Sequence, residues 1–98
     1  MYRARREETY AVVTTIETDH GTGETRRIGP AHVTFVSETS FHAGEPLRFA
    51  LTLRGTGTTP IGVRGSGRVE SVAFDGSSYL VDVSIEKSEI STVAYLSS

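Results

Sequence analysis

In the stretch PLRFALTLR, Leu47, Phe49, Leu51 and Leu53 alternate with Arg48, Ala50, Thr52 and Arg54. That two-residue period belongs to a strand with one face on a core and the other in water. SYLVDVSIE repeats it, with Tyr79, Val81, Val83 and Ile85 inward and Asp82 and Ser84 outward. TYAVVTTIET is β-branched, and Tyr10, Val12, Thr14 and Ile16 share a face. AHVTFVSE is shorter and offers Val33 and Phe35 to the core. In IGVRGSGRVESVAF the apolar positions run Ile61, Val63 and Val69 on one parity, then Val72 and Phe74 on the other. The face changes phase after Val69, which predicts a bulge or sharp bend there. Gly65 and Gly67 fall on the inward face of the same stretch. They serve either a tightly bent barrel corner, the preferred reading, or the close approach of backbone to a ligand.

Turn-forming clusters separate these strands: DHGTGE, FHAGEP, RGTGTTP and DGSS. Their even spacing predicts an antiparallel meander. The segment ETRRIGPAH, residues 24–32, is expected to be a loop between the second and third strands. After Ile85, Ser88 can cap a short C-terminal helix whose apolar stripe is Ile90, Val93, Ala94 and Leu96. Such a helix depends on docking against the rest of the protein, because its β-branched content makes it weak alone. Residues 1–9 are expected to be a flexible basic tail, and residues 10–98 a single domain.

Composition narrows the chemistry. The 98 residues hold no cysteine, which removes disulfides, thiolate catalysis and cysteine-bound metals. A net charge of −2 argues against a DNA or RNA binder, since neutralising a phosphate backbone needs a basic excess. The sequence has neither an apolar run long enough to span a membrane nor a secretory signal, so a soluble, cytoplasmic protein is expected. His20, His32 and His42 sit in or beside three different loops without metal-ligand spacing, and they read as solvated loop side chains. Ser66 in RGSGR lacks the spacing of a nucleophile elbow, and the GTG pairs lack that of a phosphate-binding loop and read as hairpin turns. No catalytic constellation emerges, so a non-enzyme is expected. What stands out is the placement of arginine: Arg3, Arg5 and Arg6 before the first strand, Arg26 and Arg27 after the second. In a small barrel those two places can adjoin, and planar guanidinium groups there can hold an anion.

The order of these features resembles the PilZ domain, a bacterial receptor module for cyclic di-GMP. The resemblance covers nearly the whole chain: TRRIGPAHVTFVSETSFHAGEPLRFALTL is similar to the family's loop, strand, turn and long amphipathic strand, and GRVESVAFDGSSYLVDVSIEKSE to its closing hairpin and the start of its helix. It implies an all-β fold, a six-stranded antiparallel β-barrel with a short C-terminal helix, and a ligand site built from an Arg-x-x-x-Arg segment and an Asp/Asn-x-Ser-x-x-Gly loop. Laid on that loop, Arg27 takes the acidic or amide position, Gly29 the serine position and His32 the final glycine position. In the tail only Arg6 aligns with one motif arginine, with Arg3 or Arg5 as the substitute for the other.

These departures have physical consequences. An arginine has donors and no acceptor, so Arg27 cannot accept from a guanine edge as an acid or amide does. Removing one charge-assisted hydrogen bond costs roughly 1.5–3 kcal/mol. Removing two or three weakens binding on the order of a hundredfold to many-thousandfold. Two readings stand. In the first, a degenerate PilZ-like regulatory module works through an unidentified protein partner. In the second, Arg5, Arg6, Arg26 and Arg27 hold the phosphates of cyclic di-GMP, and arginine donates to the O6 and N7 acceptors of guanine.

Overall fold

The computed structural model describes residues 9–54 and 60–92. Seven strands follow in chain order: β1 (Tyr10–Ala11), β2 (Thr15–Thr18), β3 (Gly21–Ile28), β4 (His32–Ser37), β5 (Pro46–Leu53), β6 (Ile61–Phe74) and β7 (Tyr79–Thr92). The ring runs β2, β5, β6, β7, β4 and β3, with β3 returning to β2, and every pairing is antiparallel. β1 also pairs with β3, Tyr10 opposite Ile28 and Ala11 opposite Arg27. β1 and β2 are thus two halves of one interrupted stave, and the whole is a closed six-stranded barrel.

The alternating sequences supply the core. Leu47, Phe49 and Leu51 of β5 face Ile16, Val33, Phe35, Val69, Val81 and Val83, all buried. Each such side chain stabilises the fold by roughly 1.5–3 kcal/mol through burial. Phe41 joins them from the β4–β5 connection and meets Phe35 edge to face, ring centroids 5.6 Å apart.

A sheet closes on itself only if some strands coil sharply, and β6 and β7 carry the devices for it. Val69 pairs with Val83 but Ser71 with Asp82, so Glu70 is an extra residue in β6 at the place where the apolar phase changes. Ser66 pairs with Lys87 but Gly67 with Ile85, so Glu86 is the extra residue in β7. Between these bulges the strands press together. A Cβ on Gly67 would overlap the Ser84 carbonyl, and one on Gly65 would sit 2.7 Å from the Phe49 ring. The inward glycines therefore serve the tightly bent barrel corner.

Four expectations from the sequence differ from the structure. Segment 24–32 is strand as far as Ile28, and only Gly29, Pro30 and Ala31 connect β3 to β4. Gly21 and Gly23 likewise belong to β3, because the hairpin closes tightly with Thr18 opposite Gly21; Gly55 and Gly57 lie outside the described residues. Ser88 caps no helix: β7 continues through Thr92 because β6 offers a partner at each position, Val63 opposite Ile90 and Ile61 opposite Thr92. Val93, Ala94 and Leu96 lie outside the described residues. Tyr10 is 59% exposed instead of inward, since the stave breaks between it and Ile16.

The DGSS hairpin behaves as its composition predicts. Gly76 has φ +100°, and Asp75 Oδ1 accepts from the backbone N–H of Ser77 and of Ser78, each at 3.0 Å. Those bonds to the ionised carboxylate, the Ser77 one first, hold the Asp75 pKa below its ordinary value of 3.8.

Two outcomes follow. Gly67→Ala should lower stability by about 1–3 kcal/mol in urea unfolding, whereas Ser66→Ala, on the outward side, should stay within about 0.5 kcal/mol. Because the folded pKa of Asp75 is depressed, its stabilisation is present above pH 3.8 and lost as pH falls through the folded value. Thermal melts of wild type and Asp75→Ala should accordingly differ at neutral pH and converge in strong acid.

Candidate functional site

The arginine-bearing strand β3 is shaped by one buried hydroxyl. Thr25 is fully buried; its Oγ1 donates to the Val12 carbonyl at 2.7 Å and accepts from the Thr14 N–H at 2.9 Å, while its own N–H donates to the Thr14 carbonyl at 2.8 Å. The side chain thereby fills the gap where the first stave is interrupted. On the other side of β3 the register shifts by one residue: Thr25 pairs with Phe35, but Arg27 with Thr34. Arg26 is the extra residue. The exposure pattern reads buried Thr25, exposed Arg26, exposed Arg27 and half-buried Ile28. A regular strand would send adjacent arginines to opposite faces; the bulge leaves both in solvent.

Their partners differ. Arg27 is clasped to the start of the described chain, its Nε donating to Thr9 Oγ1 at 2.7 Å and its Nη2 to the Thr9 carbonyl at 3.0 Å. Arg26 lies 3.8 Å from Glu24. Arg3, Arg5 and Arg6 lie outside the described residues; Thr9, where the described chain starts, stands beside Arg27. His32 opens β4 after the Gly29 N–H has bonded to its carbonyl at 2.8 Å. Its Nε2 sits 3.5 Å from a carboxylate oxygen of Glu70, the extra residue of β6. Along the same outer surface Thr34 Oγ1 is 3.3 Å from Asp82 Oδ1. The neighbourhood thus mixes two guanidinium groups with Glu24, Glu70 and Asp82, so a bound anion there meets both signs of charge.

The other histidines lie elsewhere. His20 Nε2 is 2.9 Å from Glu45 Oε2, and His42 Nδ1 is 3.8 Å from the other oxygen of the same carboxylate. His20 also stands edge-on to Phe41. His32, with Glu70, does not join them. Among the described residues no group of three or more histidine and acidic side chains is arranged to hold a metal. A broad cleft of about 740 Å³, lined by neither Arg26 nor Arg27, lies on the outer face of β2, β5, β6 and β7. Glu17, Arg54, Arg64 and Glu89 line it along with Ala50 and Thr52. Its charges balance, so it favours no ion of one sign.

Thr9 and Glu70 had no standing as site residues in the sequence. Thr9 gave no signal at all. Glu70 gave one, since it sits at the phase change that marks a bulge, and bulged residues aim their side chains away from the regular ladder.

This closed six-stranded antiparallel barrel is a PilZ-like fold. Among solved structures, that of the Bacillus subtilis inhibitor of motility, MotI/DgrA, matches with a TM-score of 0.71 at 14% identity, over 88% of this chain and 42% of that one. The chain therefore spans about two-fifths of that protein's length. No family model matches the chain, and the search of curated proteins found no match. Among the described residues no helix is long and apolar enough to cross a membrane.

Thr25→Val should cost about 1–3 kcal/mol, because it strands the Val12 carbonyl and the Thr14 N–H while keeping the volume. A denaturant midpoint that does not move would show that water replaces the hydroxyl.

Proposed function

We propose that this protein is a non-catalytic, PilZ-like regulatory module of bacterial second-messenger signalling that acts through contact with another protein, its cyclic di-GMP site having degenerated. The observation that carries the reading is the state of the loop positions. Arg27 stands where the PilZ loop has an acceptor, and it is spent on Thr9. Gly29 brings no hydroxyl, and His32 is drawn to the Glu70 carboxylate. A guanine edge and two phosphates would find no acceptor at Arg27 and a negative charge behind His32. The barrel's likeness to a structure named for inhibiting motility supports a regulatory role over a catalytic one.

One observation favours a second reading, a working receptor with an arginine-based site. The bulge at Arg26 leaves Arg26 and Arg27 exposed together, and Arg27 contacts Thr9, which follows Arg5 and Arg6 closely in the sequence. Four guanidinium groups of that kind can bind phosphates in bidentate fashion.

Calorimetry with cyclic di-GMP at low and physiological salt separates the two. The degenerate reading expects no saturable binding at micromolar concentrations. Tight binding that Arg26→Ala and Arg27→Ala abolish would establish the receptor instead. Under the first reading, Arg27→Asp, Gly29→Ser and His32→Gly together with Tyr2→Arg should create measurable affinity.

A further inference from the structure

The barrel closes over only part of β7. Strand β4 pairs with Tyr79 to Ser84, and the Ile85 N–H then bonds to the Ala31 carbonyl at 2.8 Å. Beyond that point β7 has β6 on one side and, among the described residues, no strand on the other. Residues 86–91 are all exposed, Ile90 to 71%. An unprotected strand edge is a template for another strand.

We propose that this edge is a homodimer interface, in which β7 pairs antiparallel with β7 of a second copy about a two-fold axis at Ser88. The register follows from charge. Lys87 and Glu89 lie opposite Ser66 and Arg64 on the outward side, while Ser88 and Ile90 lie opposite Gly65 and Val63 on the inward side. Pairing must keep outward residues against outward ones, so a two-fold axis can pass through a residue but not between residues. An axis at Lys87 sets lysine against lysine, and one at Glu89 sets glutamate against glutamate. An axis at Ser88 sets Lys87 against Glu89 of the partner subunit, and the symmetry repeats the pair. Opposite charges directly across a ladder stabilise it, and like charges oppose it. A lone lysine on an edge is a common block to pairing; Glu89, two residues on, turns it into a complement. Neither side chain has an ion pair among the described residues, so both are available. The added strand also covers backbone around Ile90, a large apolar side chain otherwise left in water.

Sedimentation equilibrium on the full 98-residue chain tests this. Wild type should show a monomer–dimer equilibrium that weakens as salt rises. Lys87→Glu gives an acidic edge and Glu89→Lys a basic one, and each should raise the dimer dissociation constant roughly tenfold or more. Mixed one to one, the two variants should form a heterodimer. Lys87 faces the uncharged Ser66 across the sheet, so unchanged circular dichroism and melting of Lys87→Glu will show that the barrel is intact. A wild type that stays monomeric at several hundred micromolar in low salt overturns the proposal, whether the edge is bare or covered by another part of the chain. So does a dimer that Lys87→Glu leaves unchanged, or a mixture of the two variants that remains monomeric.

Discussion

Closing six strands into a ring this small forces the two longest of them to coil hard enough that their backbones touch, and that contact governs the rest. It lies between Gly67 and the carbonyl of Ser84, where any side chain would overlap the opposite strand. The extra residues Glu70 and Glu86 flank it, one on each strand of the same hairpin. Together they rotate the second half of β6 so that Val69 and then Val72 both turn inward despite their odd spacing. Without the close approach at Gly67, β7 would not lie against β4 on one side while staying paired with β6 on the other.

The same economy operates on the opposite wall. β3 has three partners, and it manages them by giving Thr25 to the interior and Arg26 to a bulge. A buried hydroxyl with a donor and an acceptor role satisfies backbone groups that the broken stave leaves over, which a purely apolar residue cannot do. The candidate site is a by-product of that arrangement. The arginines are exposed because the register slips beneath them, and the acidic residue facing His32 is aimed there by the bulge in β6.

The sequence announced the parts of this design that rest on repetition. β5 and the first half of β7 alternate strictly, and their inward residues are the core. The phase change after Val69 predicts a bulge or sharp bend, and the extra residue is Glu70. The sequence was silent where pairing overrides local preference. The glycines of β3 have little strand tendency, yet β2 holds them extended, while β1 and β4 pair with the end that carries Arg27. Ile90 fits an apolar helical stripe as well as a strand, and the partner strand β6 decided the matter at a distance no local pattern records. Phe41 looked like a turn residue and is core, because the β4–β5 connection folds over the barrel end. The clasp between Arg27 and Thr9 joins residues eighteen apart through a long flexible side chain, and nothing in spacing marks it.

The ring's connectivity bears on how the chain reaches this state. β2, β3 and β4 are neighbours in sequence and in space, and so are β5, β6 and β7. The barrel is therefore two local meanders joined along two seams, β2 to β5 and β4 to β7, where Ile16 meets Leu51 and Val33 meets Val83. Hairpins form in microseconds, whereas pairing between distant segments must first overcome loop-closure entropy. The physics of loop closure therefore sets the two seams against the locally paired hairpins as the pairings that cost most chain entropy to form. Phe41, carried on the segment between the meanders, packs edge to face on Phe35 of the first and so ties that segment to the core the two share.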